Sequence, residues 1–265
     1  MTSDTLRPSL NKISYLILIF VLFGNLWVWR IFNHNLLLGL LVVVTTIFLF
    51  LSVSLCFSLK KLAILFFVFT LIFQFRTSDR VSLTQLSNDQ IRERDMRLKE
   101  YPPVKLSLAD RTFWIPAAHW LENRRESIAF FRILDNISYV VDPNLYFFAN
   151  HPRQRVGIKE FEKFPYILTP FFVIGLFQLF RSEKDRPFLS VMIMVPLVII
   201  SFIGNINSLG PFCLFPVIVV AVVSGLGQLY KLLIKVFKKY CNLAFVVFWM
   251  FYITNFIQII VYEGI

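Results

Sequence analysis

Hydrophobic residues run along this chain in long unbroken stretches, parted by short basic turns and by one extended segment where charges and aromatics mix. Seven stretches stand out: Ile13 to Trp29, Leu36 to Leu59, Leu62 to Phe75, Phe164 to Phe180, Phe188 to Ile203, Phe212 to Tyr230, and Tyr240 to Tyr262. A helix crossing the hydrocarbon of a bilayer needs about 20 predominantly apolar residues. Each stretch is therefore read as a transmembrane helix. The third is the shortest, and a re-entrant segment is its alternative. Arg7 and Lys12 precede the first stretch as in a secretory signal, but no small-x-small cleavage site follows, so it is read as a retained helix. Pro196 and Pro216 fall inside two of the predicted helices, where they are expected to produce kinks. Lys60-Lys61 is expected to form a tight turn between the second and third helices, and Gly204 to Pro211 the turn between the fifth and sixth.

This pattern predicts an all-α integral membrane fold of about seven transmembrane helices with one large, partly helical loop. It divides the chain into a three-helix segment (1–75), the loop (76–163) and a four-helix segment (164–265). Within the loop, Ser87-Asn88-Asp89-Gln90 reads as a capping box that starts a charged helix running to about Glu100. Phe113-Trp114-Ile115-Pro116 and His119-Trp120-Leu121 form an aromatic patch suited to the membrane interface. His119 has no apparent acid–base partner and is read as structural. Glu126 to Tyr139 predicts a helix whose apolar face includes Ile128, Phe131, Leu134 and Ile137 or Ser138. Asn136-Ile137-Ser138 matches a glycosylation sequon.

Composition excludes a soluble enzyme. The 265 residues are 57% hydrophobic and only 16% charged, against about 25% charged in a soluble domain. The formal charge of +11 has a topological account. With the N-terminus inside, the inner segments carry Arg7, Lys12, Lys60, Lys61, Arg181, Lys184, Arg186, Lys231, Lys235, Lys238 and Lys239, while the short outer loops carry Arg30 alone. That asymmetry sets orientation and puts 76–163 outside. A nucleic-acid partner is not implied. Cys56, Cys213 and Cys241 show no metal-ligand spacing and read as small core residues. No metal or cofactor motif is present, and the near absence of charge within the spans argues against a transport pathway.

The most informative stretch runs from Asp142 to Pro165, just before a predicted span. Arg153 and Arg155 offer forked donors that match phosphate oxygens, with Lys159 as a further charge. Asp142, Glu160 and Glu162 are the candidate proton acceptors. The alternative is that all of these are interface anchors and a turn leading into a helix.

This stretch, with its continuation Pro165-Tyr166-Ile167-Leu168-Thr169-Pro170-Phe171-Phe172-Val173-Ile174-Gly175-Leu176, resembles the polytopic GT-C type glycosyltransferases, in particular the bacterial protein mannosyltransferase and aminoarabinose-transferase-like proteins. The resemblance covers about Arg132 to Ala221 and matches a C-terminal portion of that fold. It implies a bacterial cytoplasmic membrane and a polyprenyl-phosphate-linked sugar as ligand on the extracytoplasmic side. The family's catalytic acid in the first outer loop has no counterpart, since no Asp or Glu occurs between Asp4 and Asp79. The competing expectation is a non-catalytic scaffold whose outer loop binds a membrane protein partner.

Overall fold

In the computed structural model, which describes residues 12–54, 59–79, 82–86, 88–100, 103–108, 111–116, 124–148, 161–204, 208–237 and 240–263, the apolar stretches fold into helices around one central helix. The order is α1 (Lys12–Phe23), α2 (Leu26–His34), α3 (Leu36–Ser54), α4 (Leu59–Thr77) and α5 (Asn88–Glu100). A hairpin of β1 (Val104–Leu108) and β2 (Arg111–Ile115) follows, then α6 (Arg125–Val141), α7 (Asn144–Phe147), α8 (Thr169–Arg181), α9 (Arg186–Ile203), α10 (Phe215–Phe237) and α11 (Cys241–Glu263). Among the described residues, four helices are long and apolar enough to cross a membrane: Leu36–Ser54, Arg186–Ile203, Phe212–Val236 and Leu243–Val261. The bent pair α1–α2 makes a fifth if counted as one. The protein is thus a helical membrane protein, with large apolar side chains such as Phe177, Met250 and Phe251 exposed on its outside.

Helix α10 is the hub. Its first half is apolar all round, which is the pattern of a helix surrounded by others, and Phe212 to Val223 is buried without a break. Helices α1, α3, α8 and α11 pack on it. The closest approach is to α8, where Gly175 faces Gly225. A Cβ on Gly175 would overlap the carbonyl of Ala221, and one on Gly225 the carbonyl of Phe171. Small residues let helix backbones meet in this way inside a bilayer, where apolar burial gives no advantage over lipid. The two helices run the same way, since Phe164 ahead of α8 stacks on Phe215 at the start of α10, with centroids 5.5 Å apart.

The first predicted span is broken. The chain bends 58° between α1 and α2, at Gly24-Asn25. A break in lipid is tolerated only if the freed backbone groups find partners, and here they do. Asn25 accepts from Val28 N–H at 2.9 Å while its amide donates to the carbonyls of Val21 and Leu22, each at 2.8 Å. Trp29 Nε1–H donates to Phe23 O, and the Tyr252 hydroxyl of α11 to Gly24 O at 2.5 Å. Replacing Asn25 with alanine removes a cap and two further bonds at a fully buried position. We expect a loss of about 2 kcal/mol, read as a lower melting temperature of the detergent-solubilised protein; an unchanged value would mean the bend does not depend on Asn25.

Other boundaries also differ from the sequence expectation. Lys60 and Lys61 lie in the first turn of α4 rather than in a turn before it, because Lys60 is neutralised there: its Nζ lies 2.6 Å from Asp185 Oδ1, in the link between α8 and α9. At its far end, Gln74 donates to Gly210 O and accepts from Cys213 N–H. Helix α4 is therefore tied at one end to the start of α9 and at the other to the segment after α9. Pro216 causes no kink. Like Pro170 and Pro187 it is the second residue of its helix, where a missing N–H costs nothing. Among the described residues, only Pro196 lies in a helix interior. Three threonines of the spans bond locally: Thr45, Thr46 and Thr70 each donate to the carbonyl four residues back, and the Thr45 and Thr70 hydroxyls meet at 3.1 Å between α3 and α4.

In the loop, α5 begins at Asn88 as the capping pattern implies, although Ser87 is outside the described residues. The aromatic patch is divided: Phe113 to Ile115 belongs to β2, paired antiparallel so that Leu106 faces Phe113 and Lys105 faces Trp114. His119, Trp120 and Leu121 lie outside the described residues. Helix α6 covers the predicted range but buries a different face. Asn136, Tyr139 and Val140 point inward while Phe131, Leu134 and Ile137 are exposed. Asn136 donates to Ser201 O at 3.0 Å and is 5% exposed, so the sequon asparagine is closed to glycosylation in the folded chain.

Candidate functional site

The end of the bundle opposite the Lys60–Asp185 pair gathers five pieces of chain: α2, the end of α4, α7, residues 161–165 and residues 209–215. Trp27 is the centre of the packing. It is fully buried, its indole N–H donates to Leu209 O at 2.6 Å, and its ring meets those of Tyr146, Phe164 and Phe215. Tyr146 donates its hydroxyl to Val140 O at 2.7 Å, and burial holds that hydroxyl well above the usual phenol range, with a smaller push from Cys213.

Lys163 lies inside this cluster at 1% exposure. Its ammonium donates to Leu145 O at 2.8 Å and sits 4.7 Å from the Phe161 ring centroid and 5.8 Å from that of Trp27. A buried cation over aromatic faces and a carbonyl recovers part of its lost hydration. Gly210 is shaped to this lysine. Its φ is +70°, and a Cβ there would stand 2.9 Å from Lys163 Cε. Arg30 reaches the same ring from α2, with its guanidinium carbon 4.0 Å from the Phe161 centroid. Unlike Lys163, Arg30 is only half-buried.

This cluster closes the base of the segment between Phe148 and Phe161. Phe164 N–H donates to Tyr146 O at 2.8 Å and Lys163 to Leu145 O, so the chain leaves and returns at one place. Four of the residues singled out from sequence, Arg153, Arg155, Lys159 and Glu160, fall in that segment and lie outside the described residues. The other two carboxylates are described, and each bonds main chain. Asp142 Oδ1 accepts from Asn144 N–H at 2.9 Å in the turn joining α6 and α7. Glu162 Oε1 accepts from Tyr166 N–H at 3.1 Å, at the turn leading into α8. Among the described residues no group of three or more His, Cys, Asp or Glu is placed to hold a metal ion.

Two cations central to the cluster were not singled out as site residues from the sequence. Arg30 stood out only as the one basic residue of the short outer loops, and its place over Phe161 accounts for that exception. Lys163 stood out only as the last residue of the outer loop. Its signal was the run Phe161-Glu162-Lys163: in an extended segment residues two apart share a side, which puts Phe161 and Lys163 inward and Glu162 outward, and Phe164 departs from the alternation as a buried core residue. No protein-family model matches the chain, and neither a curated protein nor a solved structure does.

Proposed function

We propose that this chain is a seven-span membrane protein whose outer surface binds a phosphate-bearing lipid of the polyprenyl-phosphate class beside Arg30. The spans are α1–α2 together, α3, α4, α8, α9, α10 and α11. Helix α4 is counted because its ties to both ends of α9 make it run the same course as a helix that qualifies by length. Lys60, Lys61, Arg181, Lys184 and Arg186 gather at one end, which by the positive-inside rule is cytoplasmic. The Trp27 cluster and residues 76–163 then face away from the cytoplasm, as in the bacterial proteins this chain resembles.

The observation that carries the binding reading is the half-buried Arg30 guanidinium over Phe161, at the point where the segment holding Arg153, Arg155 and Lys159 returns to the bundle. A guanidinium carries forked N–H donors that match phosphate oxygens, and the ring beneath it favours a charged group at this place. The reading is one of binding. Sugar transfer would also need a proton acceptor, from Asp142, Glu160 or Glu162 or from a partner chain; Asp142 and Glu162 each accept a main-chain N–H through one carboxylate oxygen. Arg30→Ala, Arg153→Ala and Arg155→Ala are each expected to weaken retention of polyprenyl phosphate about tenfold, the effect of one charge-assisted hydrogen bond. Native mass spectrometry of the protein released from nanodiscs measures this. Equal retention by all three variants and the parent would refute the reading.

A scaffold role is the second reading, and one feature favours it. Val104, Leu106 and Phe113 lie on one face of the hairpin and are all about half exposed. On this reading, replacing them with serine would abolish co-purification of a membrane protein partner and leave lipid retention unchanged.

A further inference from the structure

Helix α6 carries an apolar surface that nothing in the described fold covers. Phe130, Leu134, Ile137 and Val141 recur at spacings of four, three and four, so they form one stripe along the helix. Their exposures are 61%, 51%, 37% and 56%, and Phe131 beside them is 53% exposed. The rest of the helix is already engaged. Asn136, Tyr139 and Val140 are buried, with Asn136 bonded to Ser201 O near the end of α9. Arg132, on the side away from the stripe, donates to Gln85 O and Gln90 Oε1, each at 2.7 Å, and ties α6 to the start of α5. Asp135 is exposed on that same polar side.

We propose that α6 lies in the plane of the outer leaflet, with Phe130, Leu134, Ile137 and Val141 among the lipid acyl chains. Its level decides this. The Asn136–Ser201 bond fixes α6 to the last turn of α9, a helix long and apolar enough to cross a membrane, at the end of its apolar run Arg186–Ile203. At that height α9 itself exposes Val198 and Phe202, at 50% and 55%, as lipid-facing side chains. The α6 stripe therefore continues a surface that already meets lipid. A helix with an apolar stripe on one flank and charge on the other settles at this boundary. The in-plane helix also gives the outer loop a fixed platform, through Arg132, from which α5 is held at the membrane surface. None of this rests on phosphate binding, which involves other residues.

The test uses the full-length chain in vesicles of phosphatidylethanolamine and phosphatidylglycerol, with Cys56 and Cys241 changed to serine. Cys213 is kept because it is buried and closed to labelling reagents. Nitroxide labels are attached in turn at Leu134→Cys, Ile137→Cys and Asp135→Cys, and collision rates with oxygen and with a water-soluble nickel chelate are compared. The ratio of oxygen to chelate collisions is expected to be several-fold higher at Leu134 and Ile137 than at Asp135. Two stripe positions are used so that one poorly folded variant does not decide the matter. Equal chelate access at all three positions would place the stripe in water and overturn the proposal. So would protection from both reagents: with spin–spin broadening it would assign the stripe to a second copy, and without it to another protein surface.

Discussion

Gly175→Ala should destabilise the bundle by about 3 kcal/mol or more, at or beyond the upper end of what overpacking costs. The added methyl would occupy the space of the Ala221 carbonyl. Backbone cannot rotate out of the way as a side chain can, so α8 and α10 would have to part along their whole contact. Gly225→Ala should behave alike, since its methyl meets the Phe171 carbonyl. Gly227 is the control: it stands two residues further along α10 with nothing within 4 Å of a built Cβ. Alanine there should be neutral or stabilise by about 0.5–1 kcal/mol, through helix propensity. Thermal challenge followed by size-exclusion chromatography separates the three. Equal midpoints for Gly175→Ala and Gly227→Ala would show that α8 and α10 do not touch at the glycines.

The second large effect is expected at the start of α4. Asp185→Ala leaves Lys60, whose side chain is 8% exposed, without its carboxylate. Stranding one member of a buried pair costs about 3–5 kcal/mol. Ser182, which donates to Asp185 Oδ2 at 3.0 Å, loses its partner as well. Lys60→Met combined with Asp185→Leu removes both charges and should return most of the stability, because an apolar side chain suits the space beside Phe188, whose ring centroid lies 5.3 Å from Lys60 Nζ. A double variant as unstable as Asp185→Ala would mean that the pair contributes more than mutual neutralisation. Removing Asp185 also frees α4 from α9 at this end, so the single variant should become more sensitive to protease in the links around Lys60 and Lys184.

The spans were legible because the bilayer imposes a single strong requirement, about 20 apolar residues with backbone bonds made internally. Most of three predicted stretches became helix for that reason, as α3 (Leu36–Ser54), α9 (Arg186–Ile203) and α11 (Cys241–Glu263), although Leu59, expected to end the second span, opens α4 instead. The hairpin was passed over although Val104-Lys105-Leu106-Ser107-Leu108 alternates with period two. An aromatic run at a membrane surface is compatible with helix or strand, and the partner strand decides between them. The described part of the candidate site was hidden from the sequence. Arg30 and Lys163 matter through a shared ring that chain order cannot reveal, while Arg153, Arg155 and Lys159, which stand out by charge, lie outside the described residues.

Apolar run lengths were enough to place this chain in a membrane, since they depend on transfer free energies that act residue by residue, and the uneven distribution of lysine and arginine is the basis of the orientation proposed for it. The bend at Gly24-Asn25, the Lys60–Asp185 pair, the glycine contact between α8 and α10, and the burial of Lys163 depend on which surfaces meet. Each joins groups from different helices or from opposite ends of a helix break. Their energies come from partners brought together by packing, and no local stretch of residues carries that information.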